Sequence, residues 1–306
     1  GTGKTWIGMK KAKALSDKGL DVLFLCYNKR LSKFVKSKLK DYNIQCSTFN
    51  SLIYQLVGKK TYNKLRTKDN NLNNIFDHID FSSISKYDGI IVDEAQDFSE
   101  EWAITTRALL KDEKSSYLYV FYDEDQNIFD RDFENGFMIE QPPFFLKENL
   151  RNTANIFKWT VNKTGYGVHQ NPNILEGAEP EISQFNKNSK ALRHLNQLLN
   201  RLIKNEYVSN DSLVILSNRK KENSILKTKN QLGSFNIVTN EPWNINKKQN
   251  EVSFMTLQSF KGLEADVVIF IDHVKNENLI NINKDKLKYV AYTRARFFLY
   301  VIEVKA

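Results

Sequence analysis

The stretch Tyr87-Asp88-Gly89-Ile90-Ile91-Val92-Asp93-Glu94-Ala95-Gln96-Asp97 leaves few folds open to this chain. Ile90, Ile91 and Val92 follow one another without a polar face, between a glycine and two carboxylates. A short β-branched run of this kind is a strand covered on both sides, as in a parallel sheet. In open α/β sheets ligands gather beyond the carboxyl ends of the strands. Asp93 and Glu94 then stand where a phosphate and its metal are held. The plainer alternative is a buried strand ending in a solvated acidic turn, and these residues alone do not choose between the two.

The rest of the chain repeats the pattern. Asp21–Cys26 is a continuous apolar run that ends in Tyr27-Asn28-Lys29-Arg30, Cys46–Phe49 is a shorter one, and Tyr117–Tyr122 runs into Asp123-Glu124-Asp125-Gln126. Helical stretches are expected between them. One runs from Trp6 to about Lys18, with Gly19 placed to end it. Others cover about 29–40, 51–57 and a segment capped by Ser99 with Trp102 inward. Residues 59–86, with clustered Asn70, Asn71, Asn73 and Asn74, read as a polar insertion. Strands alternating with helices predict a doubly wound α/β domain.

Pro142-Pro143 marks a boundary, giving domains over 1–142 and 143–306. A second α/β series follows, with strands near 212–216, 235–238, 251–256, 266–271 and 297–302. Helices are expected from Thr153, over 190–204, from Arg219 and from Lys284, with an Asn/Lys-rich loop over 240–250. A chain of 306 residues is long enough for two such cores.

Lys+Arg number 45 against 36 Asp+Glu, a net charge of +9. That balance suits a polyanion such as DNA or RNA, and equally a merely soluble surface. Lys29, Arg30, Lys33, Lys36, Lys38 and Lys40 make one helix strongly positive, either a solvated face or a contact to phosphates. Cys26 and Cys46 are too few for a disulfide framework, which fits a reducing, cytoplasmic setting. No apolar run approaches the ~18 residues of a membrane span, and no signal peptide is visible.

Gly1-Thr2-Gly3-Lys4-Thr5 is the second half of a phosphate-binding loop, G-x-x-x-x-G-K-[ST], placed before a helix as that motif requires. Backbone N–H groups and the helix N-terminus would hold phosphates, Lys4 would neutralise them, and the Thr5 hydroxyl would bind Mg²⁺. The chain has no initiator Met and opens inside this motif. It therefore reads as a piece of a longer protein, and as a poor ATPase by itself.

Taken in order, the motifs resemble the ATPase core of the UvrD/Rep-like superfamily 1 helicases. The matching pieces are Gly3-Lys4-Thr5, Tyr27-Asn28-Lys29, Thr48-Phe49, Asp93-Glu94-Ala95-Gln96-Asp97 and Asp123-x-x-Gln126. They continue with Asn149-Leu150-Arg151-Asn152, Thr256–Glu264 and Val290-Ala291-Tyr292-Thr293-Arg294-Ala295. Phe121-Tyr122-Asp123 and Glu148–Thr153 are similar to the group fused to nuclease-related (NERD) domains. The resemblance implies two RecA-like P-loop domains with mainly parallel sheets and an ATP cleft between them. It implies ATP and Mg²⁺ as ligands, with Asp93 and Thr5 on the metal. Glu94 is the base for the attacking water, Gln126 the γ-phosphate sensor, Arg151 and Arg294 the arginine fingers, and Glu264 the ribose contact. Tyr27, Asn28, Thr48, Phe49, Thr256 and Gln258 would meet the nucleic acid, although Phe49 reads almost as well as a core aromatic. The expected partner is single-stranded or partly duplex DNA, with RNA as an alternative, and a nuclease domain or subunit in addition. No membrane partner is expected.

Three positions depart from that pattern. Leu150 replaces a Tyr that stacks on adenine, Arg131 replaces a base-stacking aromatic, and Gln258 replaces a His. The short spacings from Phe49 to Asp93 and from Asn152 to Ser253 leave no room for the family's large insertions. Two activities fit: an ATP-driven translocase or helicase, or a nucleic-acid-sensing regulatory ATPase that controls a nuclease without unwinding.

Overall fold

The computed structural model describes residues 2–66, 72, 74–127, 133–239, 248, 250–274 and 283–305. The chain divides into two compact units, Gly3–Leu146 and Lys147–Ala306. The division falls after Leu146, a few residues beyond the Pro142-Pro143 pair.

The first unit runs α1 (Lys4–Ser16), β1 (Val22–Cys26), α2 (Lys29–Lys38), β2 (Ile44–Thr48), α3 (Phe49–Leu65), β3 (Gly89–Asp93), α4 (Glu100–Arg107), β4 (Tyr117–Val120) and α5 (Glu134–Phe137). Its four strands are all parallel, in the order β2-β1-β3-β4. Every residue of β1 and β3 is buried, which is why both read as unbroken apolar runs. The two faces serve different cores. Val22, Phe24, Cys26 and Ile91 pack under α1 and α2. Leu23, Leu25, Ile90 and Val92 pack under α3, α4 and α5, around Trp102. Ser99 caps α4 by accepting a hydrogen bond from the Trp102 amide at 3.3 Å, and Trp102 points inward, as the sequence predicts. Cys26 is a buried free thiol whose pKa burial pushes well up. The helix expected to stop near Val57 continues to Leu65, with non-helical geometry at Gly58. Asn70, Asn71 and Asn73 lie outside the described residues.

The second unit runs α6 (Ala154–Thr164), β5 (Glu181–Phe185), α7 (Asn188–Leu199), β6 (Leu213–Ser217), β7 (Gln231–Leu232), β8 (Phe235–Val238), β9 (Glu251–Thr256), α8 (Leu257–Phe260), β10 (Ala265–His273), α9 (Lys284–Tyr292) and β11 (Ala295–Val304). Its sheet has the order β5-β11-β10-β6-β9-β8-β7, parallel except for the β7–β8 pair. The α/β class with mainly parallel sheets is therefore what the sequence led one to expect.

Two details differ. The helix expected from Arg219 is only the single turn Lys221–Asn223, because the chain must turn back at once into the β7–β8 hairpin. The edge strand β5 lacks an apolar run, since its outer side faces solvent and its residues are mostly exposed. Most of the 240–250 loop lies outside the described residues.

Candidate active site

The sheet order of the first unit decides what meets what. β3 lies between β1 and β4, so the end of β3 stands beside Cys26 on one side and the segment after β4 on the other. Asp93 and Asp123 thereby converge on the first turn of α1. Gly3, with φ 86°, turns the chain into that helix in a left-handed conformation open mainly to glycine. The Thr5 hydroxyl donates to Asp93 Oδ2 at 2.6 Å. The Lys4 ammonium pairs with Asp123 Oδ2 at 3.1 Å. Gln126 Nε2 donates to the same Asp123 oxygen at 2.8 Å.

Gln96 joins the halves of this site. Its side-chain amide donates to Glu94 Oε2 at 2.5 Å, and its carbonyl oxygen accepts from the Asp123 amide at 3.0 Å. Glu94 is held with φ 59°, a left-handed backbone that costs a non-glycine residue energy and persists where its surroundings enforce it. Lys4, Thr5, Asp93, Glu94, Gln96, Asp123 and Gln126 are thus brought together within one unit. The sequence marked five of these by role. Gln96 and Asp123 lay inside quoted motifs without a role, and only the fold reveals them as the connectors.

The charges in this site are unequal. Asp93 is 1% exposed, and burial followed by the neighbouring Glu94 carboxylate raises its pKa to about 7, against the opposing pull of Thr5 and Lys4. Burial would also raise Asp123. The Lys4 ammonium, with the hydrogen bonds from Lys4 and Gln126, outweighs that and holds Asp123 well below the usual carboxylate range. One carboxylate is already neutralised by a cation, while the other favours a proton until a cation arrives. Among the described residues, no group of three or more His, Cys, Asp or Glu could hold a metal on protein ligands alone. Mg²⁺ bound with a nucleotide needs only one or two protein oxygens beside phosphates and water. The adjoining Thr5 and Asp93 oxygens fit that demand.

In the second unit, Arg151 Nε donates to Glu264 Oε2 at 2.6 Å, and Arg296 lies 3.8 Å from the other Glu264 oxygen. Burial pulls the Glu264 pKa up, but Arg151, then Arg296 and Arg294, lower it further than burial raises it. Glu264, read as a ribose contact, here holds an arginine. Arg294 is fully buried and donates to the Val290 carbonyl at 2.9 Å and the Leu263 carbonyl at 3.3 Å, tying the end of α9 to the turn before β10. Leu150 is exposed.

The residues assigned to nucleic acid separate. Asn28, Thr48 and Thr256 are the N-caps of α2, α3 and α8, their side-chain oxygens accepting from the amides of Arg30, Ser51 and Ser259. Tyr27 is half-buried and stacks against Trp102 at 6.1 Å. Phe49 is 0% exposed and stacks on Trp102 at 4.4 Å, so its ring belongs to the core and offers no face to a base. Gln258 is exposed. Thr2 is buried, and Gly1 and Arg131 lie outside the described residues. No helix among the described residues is long and apolar enough to cross a membrane.

Comparison with known proteins gives the fold a context. The chain resembles the arterivirus nonstructural protein 10 helicase in complex with DNA, with a TM-score of 0.51 and 12% identity, covering 99% of this chain and 57% of that one. A second structure of the arterivirus helicase gives a TM-score of 0.49 at 12% identity over the same shares. The chain thus spans little more than half the length of these helicases. No curated protein matches it. Residues 1–263 match the family described as Schlafen group 3, DNA/RNA helicase domain. The helicase reading of the motifs holds, and the family matched is this one rather than the UvrD/Rep type that the motif series resembles. The chain belongs to the Schlafen group 3 DNA/RNA helicase-domain family.

Proposed function

We propose that this chain is the ATP-hydrolysing motor core of a nucleic-acid helicase or translocase. The observation that carries the reading is the hydrogen-bonded network joining Lys4, Asp123, Gln126, Gln96 and Glu94, with Thr5 on Asp93 beside it. Phosphoryl transfer asks the protein mainly for positioning and for neutralisation of charge, and these residues supply both. The motif order of the superfamily 1 type supports the same assignment.

Lys4 exchanges Asp123 for a phosphate, which leaves Asp123 to Gln126 alone. Gln126 is thereby coupled to whether a phosphate is present. Through the Asp123 amide and Gln96, the same change reaches Glu94, which is held as the base that takes a proton from the attacking water. Bound Mg²⁺ would neutralise charge on the phosphates, held by Thr5 and Asp93. Of the two arginines that the resemblance makes arginine fingers, Arg294 is fully buried on the Val290 and Leu263 carbonyls and serves to tie α9 to the turn before β10. That leaves Arg151 as the proposed finger, its direction fixed by Glu264. DNA, single-stranded or partly duplex, is the proposed track, with RNA as the alternative.

A second reading is a nucleic-acid-gated regulatory ATPase. It is favoured by Arg131 in place of a base-stacking aromatic and by the short spacings that leave no room for the family's large insertions. Steady-state ATPase of the full-length protein, with and without single-stranded DNA, alongside a strand-displacement assay, tests both. Stimulation with displacement supports the motor, and stimulation without displacement supports the switch. Turnover that is indifferent to DNA and survives Glu94→Gln would refute both.

A further inference from the structure

The basic excess of this chain is not spread over it. Residues 1–40 hold eleven Lys and Arg against two Asp, an excess of nine, equal to the net charge of all 306 residues. The rest of the chain is balanced. Those forty residues make α1, β1 and α2, and the fold leaves several of their charges on the outer side of the two helices. Met9, Ala12 and Leu15 of α1 share a core with Leu31, Val35 and Leu39 of α2, over Val22 and Phe24 of the sheet. With the apolar sides of both helices facing the sheet, Lys10, Lys33, Lys36 and Lys38 are left exposed. Among the described residues, none of these four forms a salt bridge.

Two aromatic rings sit among these cations. Trp6, on the first turn of α1, is 57% exposed, and Phe34, on α2, is 37% exposed. They meet edge to face across the helix pair, with centroids 6.4 Å apart at 85°. The Lys38 ammonium lies 5.8 Å from the Phe34 centroid. Aromatic rings set among cations on one face are the combination that single-stranded nucleic acid uses, rings for bases and cations for phosphates. A duplex would satisfy the lysines while keeping its bases away from the rings, and an acidic polypeptide would leave Trp6 without a planar partner. A single strand offers phosphates and unstacked bases together.

We propose that the outer face of α1 and α2 is a binding surface for single-stranded nucleic acid. Trp6 and Phe34 stack on bases, and Lys10, Lys33, Lys36 and Lys38 meet phosphates. Lys33, Lys36 and Lys38 lie on α2, outside the phosphate loop, and Gln258 belongs to the other unit.

The test is fluorescence anisotropy of the full-length protein with labelled oligo-dT and oligo-rU of about 20 nucleotides across a salt series. The triple change Lys33→Gln, Lys36→Gln, Lys38→Gln retains good helix formers. It is expected to weaken binding at least tenfold at fixed salt. At ~0.7 per phosphate contact, it should also flatten the slope of log affinity against log salt by about 2. Trp6→Ala is expected to lose fivefold or more, since a stacked base contributes at least ~1 kcal/mol. ATP hydrolysis without nucleic acid should be unchanged in the triple Gln protein. Replacing the same three lysines with Arg should keep both affinity and slope, and a loss equal to that of the Gln protein overturns the proposal. So does an unchanged affinity and slope in the Gln protein when Gln258→Ala weakens binding. Parallel losses with both oligonucleotides support the surface for either sugar, and a loss with one alone supports it for that strand. If the wild-type protein binds neither oligonucleotide, both this proposal and the nucleic-acid part of the functional reading fall, and the ATPase measurement then shows whether the nucleotide part stands.

Discussion

Asp93 should make the first unit less stable as pH rises, and Asp93→Asn should remove that cost. The carboxyl is buried, and its pKa is raised from 3.8 to about 7. A raised pKa means that the folded state holds the proton more tightly than the unfolded one. Stability is therefore greatest below the unfolded value and falls as pH climbs through the folded value. At about 1.4 kcal/mol per tenfold, the full displacement sets a ceiling of roughly 4 kcal/mol, more than half of which develops between pH 5 and pH 8. Asn keeps an oxygen able to accept from the Thr5 hydroxyl, so the variant tests charge rather than shape. Urea denaturation of both proteins at several pH values isolates the Asp93–Glu94 pair, because titrations remote from it cancel in the difference. The expected result is a gain for Asp93→Asn that widens toward high pH. A constant offset between the two curves refutes the reasoning, and with it the view that this site is built to receive a cation.

His273 provides the opposite trend in the second unit. It is buried, its Nε2 has no hydrogen-bond partner among the described residues, and burial followed by Arg219 lowers its pKa to about 4. Its contribution, up to about 3 kcal/mol, is present above pH 6.5 and lost as pH falls toward 4. His273→Gln should flatten that limb of a pH–stability curve. Asp123→Asn leaves Lys4 without its carboxylate. Because Lys4 is partly exposed, the loss should fall below the ~3–5 kcal/mol of a fully buried pair. A thermal-shift series should show most of the loss recovered with a non-hydrolysable ATP analogue, and no recovery would show that phosphate does not replace Asp123 on Lys4. Glu264→Gln should lower kcat about tenfold with little change in KM if the carboxylate orients Arg151. A change confined to KM would return it to ribose binding. Gly136→Ala drives a Cβ into the Glu100 carbonyl oxygen and to 2.7 Å from Ala103 Cβ, forcing α5 from α4. About 1–3 kcal/mol of unfolding free energy should be lost, read as a lower urea midpoint.

The sequence by itself determined what depends on neighbours in the chain. β1 and β3 are legible because a strand buried on both faces must be apolar throughout, and α4 because Ser99 and Trp102 mark its start and its inner side. The phosphate loop and the acidic strand end are local motifs, and together with the rest of the ordered motif series they make the helicase resemblance legible without any contact being known. The tertiary structure decided which of those groups touch. Thr5 reaches Asp93 across 88 positions and Lys4 reaches Asp123 across 119, because the order β2-β1-β3-β4 brings those strand ends side by side. No local pattern encodes strand order. For the same reason Phe49, apolar in any reading, became a core ring on Trp102. Asn28 and Thr48 became caps, and Glu264 became the partner of Arg151. The basic residues of α1 and α2 were visible as letters. That they share one outer face with Trp6 and Phe34 follows only from both helices burying their apolar sides on the same side of one sheet.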